Sequence, residues 1–225
     1  MASSINASTT GAGGVITTAD ASGVLNIQTA STTAMSISAA QVVNFTNTPT
    51  IAGSAFPSGA ISLISTLTAS SSASLEWTGL SLDKYMIIFQ NLIPASNAAF
   101  NLVIGTGATP TYISSGYWSW GYGGDGSTLL PQVGNNNSYH SLTSITAYNV
   151  LSTGYGISGQ ILFSAFTSST TANISTQAVF KFSGGQAGET NSSFVVTTAP
   201  ITAIKLSFAS GNIASGKASL YGISS

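Results

Sequence analysis

The chain has 225 residues, only 4% of them charged, and a formal net charge of -1; ordinary globular domains carry roughly a quarter charged residues. Its cations are Lys84, Lys181, Lys205 and Lys217, with no arginine, which argues against the clustered basic face and bidentate phosphate contacts of a nucleic-acid partner. Cysteine is absent, so disulfide frameworks, thiolate metal sites and cysteine nucleophiles are excluded.

Hydrophobic residues make up 43% of the chain, and polarity comes from Ser, Thr, Asn and Gly, a composition that folds rather than staying disordered. A surface with so little charge does not keep copies apart, and suits a chain that lives assembled. The opening "MASSINASTTGAGG" has neither the basic nor the apolar region of a signal peptide. No run reaches the ~18 apolar residues of a membrane span, and no membrane partner is expected.

Two textures divide the chain. Residues 1–59 hold one charged side chain, Asp20, and few aromatics, whereas the segment after Ile61 is rich in Tyr, Trp and Phe. "IAGSAFPSGA" (51–60), with its glycines and Pro57, reads as the linker, giving an arm or stalk at 1–59 and a main domain at 60–225. Within the arm, "VLNI", "AMSI" and "VVNF" each present an apolar pair two apart: Leu25 with Ile27, Met35 with Ile37, and Val43 with Phe45. Period two means a strand with one buried face. Strands this short must stack or pair between copies, so these six residues are the candidate oligomerisation set of a slender trimeric β-prism; an extended arm lying on a neighbouring protein is the alternative.

The main domain reads as strands at 61–69, 73–78, 84–92, 99–105, 141–148, 159–166, 174–182, 192–198, 201–208 and 217–222, separated by turn signals. No stretch has a 3.6-residue apolar stripe. Many short strands without helices predict two antiparallel sheets packed face to face, an all-β sandwich of jelly-roll type in preference to an immunoglobulin-like one.

Two glycine patterns invite a nucleotide reading. Gly211, Gly216 and Lys217 stand at phosphate-loop spacing, but Ala218 occupies the metal-holding position and the residues after it are strand-like. "GYGISG" (154–159) precedes a strand, "QILFSAF", with no βαβ unit around it. Both are read as turn glycines, and Lys217 as a solvated side chain. Asp20, Glu76, Asp83, Asp125 and Glu189 are dispersed without a carboxylate pair or metal-ligand spacing. No G-x-S-x-G marks a nucleophile. His140, beside Tyr139, reads as a loop or interface histidine. No catalysis, cofactor or metal is expected.

The densest signal is "YISSGYWSWGYGGDGS" (112–127), read as an aromatic, glycine-rich loop, followed by a second loop, "PQVGNNNSYHS" (131–141). Tyr117, Trp118, Trp120, Tyr122, Asp125 and His140 are therefore candidate contact residues. Three uses stay open: a subunit interface, where Tyr and Trp are enriched; stacking on sugar rings with Asp125 and amides binding hydroxyls; or a core strand with Trp118 and Trp120 inward and Tyr117 outward.

Three segments carry a resemblance. "NIASGKASLYGI" (212–223) resembles the closing strand pattern of many tailed-bacteriophage virion proteins. "YMIIFQNLIPASNAAFNLVIGTGATPTYISSGY" (85–117) resembles the strand, Pro-containing turn, strand and aromatic loop of the same proteins. "GVLNIQTASTTAMSISAAQVVNF" (23–45) is similar to the repetitive strands of phage fibre and decoration proteins. The resemblance implies a homotrimeric, non-catalytic component of the outer particle surface, made in the host cytoplasm, with a β-sandwich domain. The short arm favours a capsid decoration, cement or head-fibre protein that contacts itself and the major capsid protein or other virion proteins. A receptor-binding short tail fibre or spike recognising host surface polysaccharide is the alternative.

Overall fold

The structure, a computed structural model, describes residues 24–29, 31–38, 40, 43–45, 50–51, 54–55, 61–125, 127–143 and 148–223. Expectations placed on residues 1–23, Asp20 among them, and on much of the linker lie outside these. The chain forms two compact units, Met1–Ser58 and Gly59–Ser225.

In the first unit, β1 (Leu25–Thr29), β2 (Thr32–Ile37) and β3 (Val43–Phe45) form a three-stranded antiparallel sheet. The turn between β1 and β2 takes Ser31 at a φ of 62°, the left-handed conformation of tight hairpin turns. The linker is not wholly irregular, because β4 (Thr50–Ile51) pairs with β5 (Ser54–Ala55).

The second unit contains β6 (Ile61–Ser72), β7 (Leu75–Thr78), β8 (Lys84–Pro94), β9 (Phe100–Thr106), β10 (Thr111–Tyr112), β11 (Tyr117–Gly124) and β12 (Leu129–Asn137). It continues with β13 (His140–Ser141), β14 (Ile157–Ser164), β15 (Thr171–Phe182), β16 (Gly185–Val196), β17 (Ile201–Phe208) and β18 (Ile213–Ile223). An eight-stranded sheet runs in the order β12-β11-β16-β15-β14-β8-β18-β6. A smaller sheet runs β10-β9-β17-β7, with β13 also on β9. Every pairing is antiparallel, and the described residues are all-β, as the patterning predicts.

Alternation explains the packing. Along β15 every second residue from Ala172 to Phe182 is buried, and β8 buries Tyr85, Ile87 and Phe89. These inward rows meet the smaller sheet, where Phe89 lies 5.8 Å from Phe100, itself 4.8 Å from Phe208. Each fully buried Ile, Leu or Phe contributes about 2 kcal/mol. Polar links tie the layers as well: the Trp77 indole on β7 donates to Ser65 Oγ on β6 at 2.9 Å.

This topology corrects several expectations. The aromatic stretch is a strand, β11, hydrogen-bonded on both sides. The second expected loop is mostly β12, whose Pro131 is tolerated because β12 is an edge strand. The strand expected at 141–148 begins as β13 but bends at Leu142, and residues 144–147 lie outside the described ones. Gly216, read as a turn glycine, lies inside β18 at a bulge against β8, with a φ of 113°. A Cβ there would stand 2.4 Å from the Asn91 carbonyl oxygen, so only glycine fits. A strand on both sides of Lys217 also removes the helix a phosphate loop requires.

Candidate interaction surfaces

The first unit aligns its apolar pairs across strands. Leu25 pairs with Ile37 and Ile37 with Val43; Ile27 pairs with Met35 and Met35 with Phe45. Directly opposed residues share a face. Two apolar rows therefore cross the sheet in register, although the side chain of Phe45 lies outside the described residues. Leu25, Ile27 and Val43 are 57%, 48% and 48% exposed, while Met35 and Ile37, on the central strand, are half-covered by their neighbours.

In β11 alternation sorts the aromatic candidates opposite to the core reading. Tyr117 and Ser119 point inward and are buried; Trp118 is half-buried, and Trp120 and Tyr122 are exposed on the outer face. The Tyr117 hydroxyl crosses to the smaller sheet and accepts the Ile104 N–H at 2.9 Å, while burial raises its pKa. Tyr117 is thus a core strut and leaves the contact set. Outside, Trp118 stacks on Phe194 with ring centroids 6.1 Å apart, and Trp120 tilts against the same ring at 5.6 Å.

Asp125 is occupied locally. One carboxylate oxygen accepts from Ser127 N–H, Ser127 hydroxyl and Thr128 N–H at 2.8–3.0 Å, and the other accepts the Tyr148 hydroxyl at 3.1 Å. The Ser127 hydroxyl bond, more than any other cause, holds its pKa down to about 2. This carboxylate builds the β11–β12 turn and has little capacity left for a ligand.

His140 is neither a loop nor an interface residue. It is fully buried, and from β13 its ring bridges the layers: Nδ1 meets Ser193 Oγ of β16 at 2.5 Å, and Nε2 meets Thr176 Oγ1 of β15 at 2.9 Å. Either hydroxyl can donate or accept, so the neutral ring is satisfied in both tautomers. Burial lowers its pKa to about 3. It too leaves the contact set.

Sequence reasoning missed the outer face of the eight-stranded sheet. Register places Val133, Trp120, Ser192, Ser175, Leu162 and Met86 in one row across it. The next row is Pro131, Tyr122, Thr190, Gln177, Gln160 and Ile88. Gln160 Nε2 donates to Gln177 Oε1 at 3.0 Å. Neither row contains a charge. Two adjoining grooves lie here, one of about 640 Å³ between Tyr122 and Gln160 and one of about 270 Å³ between Trp120 and Leu162. The period-two spacing of Trp118, Trp120 and Tyr122 was the available signal; the partners on β14–β16 emerge only from the strand order.

Comparison with protein-family models, curated proteins and solved structures finds no match to the chain.

Proposed function

We propose that the chain is a non-enzymatic structural protein of a tailed-bacteriophage particle, a homotrimer that decorates or cements the outer capsid surface. Residues 1–59 would associate with their own copies in a β-prism-like arrangement and grip the major capsid protein or other virion proteins. Multivalent contact by each trimer would then reinforce the shell. The observation that carries the reading is the exposed, in-register apolar face of β1–β3, since a three-stranded sheet with one bare apolar side needs a cover. The low charge favours the same state.

A jelly-roll classification of the sandwich belongs to this reading. It is supported by the chain's repeated passage between sheets, from β6 to β7 to β8 to β9 and later from β16 to β17 to β18. The second reading, a receptor-binding short tail fibre or spike, is favoured by the outward direction of Trp120 and Tyr122.

The test is sedimentation of the full chain and of Leu25→Ser/Ile27→Ser, each also mixed with capsids that lack the protein. Trimers that bind capsids, and a variant that is monomeric and does not bind, are the expected result. A monomeric wild type at micromolar concentration, or trimers that ignore capsids, would overturn the decoration reading.

A further inference from the structure

We propose that the outer face of the eight-stranded sheet binds a neutral polysaccharide, its sugar rings stacking on Trp120 and Tyr122 and its hydroxyls hydrogen-bonding the Gln160–Gln177 amide pair. This deepens the polysaccharide-recognising reading, and it does not depend on where on a particle the protein sits.

The first argument is the order of side chains across the face. In both rows the middle strands carry Ser192, Ser175, Thr190, Gln177 and Gln160, while Trp120 and Tyr122 stand on one side and Leu162 and Ile88 on the other. A protein interface has the opposite anatomy, an apolar centre within a polar rim. Here a hydrogen-bonding floor runs along the strands between apolar walls. That arrangement suits a pyranose chain, whose C–H faces pack on rings and aliphatic walls while its hydroxyls reach amides and hydroxyls below.

The second argument is shape. Gly124 on β11 and Gly188 on β16 are paired in register, so two neighbouring strands lack side chains at one end of the floor, where the larger groove lies. Trp120 and Tyr122, two residues apart on one strand, are spaced about 7 Å and can serve successive sugars. Phe194 buttresses Trp120 from β16, fixing the indole before any ligand arrives, which lowers the ordering cost of binding.

The third argument is charge. Lys84, Lys181 and Lys217 lie on β8, β15 and β18 outside the two central rows. Glu189 borders the larger groove but is buried on the inward-facing register of β16. Within the two rows an anionic or cationic polymer would find no counter-charge, Lys181 and Asp125 lining the adjoining groove beyond them, whereas a neutral one loses nothing there.

Affinity electrophoresis of the full chain through gels containing a neutral glucan, mannan or galactan tests the proposal, with an anionic polyuronate as control. Retardation by at least one neutral polymer is expected. Trp120→Ala and Gln160→Ala/Gln177→Ala should each weaken it about tenfold. Gly188→Leu should abolish it by filling the groove: a Cβ at Gly188 meets nothing nearer than 3.9 Å, so the fold accommodates the change, as thermal melting would verify. No retardation by any neutral polymer, preference for the polyuronate, or full binding by Gly188→Leu overturns the proposal. So does sedimentation in which Trp120→Ala or Gly188→Leu dissociates an oligomer, which would make the face a self-association surface. Failure of the trimer reading is read separately, on Leu25→Ser/Ile27→Ser.

Discussion

Acid should loosen the sandwich through one residue. His140 is the chain's single histidine, buried, with its pKa lowered to about 3 by desolvation, whereas an unfolded chain titrates near 6.5. Between these values the unfolded state binds a proton that the folded state refuses, so stability rises with pH across the window and is lost as pH falls from 6.5 toward 3. The linkage amounts to about 2 kcal/mol at pH 5 and about 3 kcal/mol at pH 4, a large share of the ~5–15 kcal/mol of a typical domain. Asp83 and Asp125 have lowered pKa values, chiefly from hydrogen bonds to Thr167 and Ser127, so their contributions fade below about pH 4. The histidine's share of the interval from 6.5 to 4 is isolated by comparison with a variant that does not titrate at position 140.

Urea denaturation at pH 7.5, 6 and 5 measures the effect, with His140→Gln as the comparison. Glutamine keeps a donor and an acceptor for Ser193 and Thr176 but does not titrate. Wild type should lose about 2 kcal/mol more than the variant between pH 7.5 and 5, the variant starting less stable. Equal pH slopes in the two proteins would refute the buried, neutral histidine.

Other expectations rest on contacts of the same kind. Tyr117→Phe leaves the Ile104 N–H without its acceptor inside the core and should cost about 1–3 kcal/mol, read as a lowered urea midpoint with an unchanged m-value. Gly216→Ala meets both the positive φ and the Asn91 carbonyl, and should cost more than the ~1–3 kcal/mol of an ordinary strained site, seen as a fall in melting temperature or loss of soluble protein. Asp125→Ala removes the acceptor that closes the β11–β12 turn; amide exchange at Ser127 and Thr128 should accelerate while polysaccharide retardation stays unchanged.

How far the sequence reveals this molecule depends on whether a residue's neighbours are local. The pairs Leu25/Ile27, Met35/Ile37 and Val43 with Phe45 were legible because period two fixes a face, and strands adjacent in sequence pair with one another across β1–β3. β11 and β12 were hidden because Gly121, Pro131 and Asn135–Asn137 usually break strands. Their tolerance is tertiary. A Cβ on Gly121 would stand 2.5 Å from the Thr190 carbonyl oxygen, so close approach of β16 demands glycine, and the edge position of β12 excuses Pro131.

Burial of a polar group is harder still to read. His140 and Leu142 are both fully buried while Tyr139 is exposed, so a period-two signal existed, but the hydroxyls that make His140 admissible come from β15 and β16, more than thirty residues away. The same holds for choosing a face in β11. Tyr117 and Trp118 are both aromatic, and periodicity separates the two faces without saying which is inward. Reach decides between them. Tyr117 has a partner in the opposite sheet, the Ile104 N–H, and its inward parity makes room for Ser119 and Gly121 against β16. The indoles are then obliged to face outward, and Phe194, standing directly opposite Trp118 in register, gives them an aromatic support on the outer surface. An outward aromatic wall in this sheet is thus a consequence of how its inner face is satisfied, and the polar floor beside it is what makes that wall chemically useful.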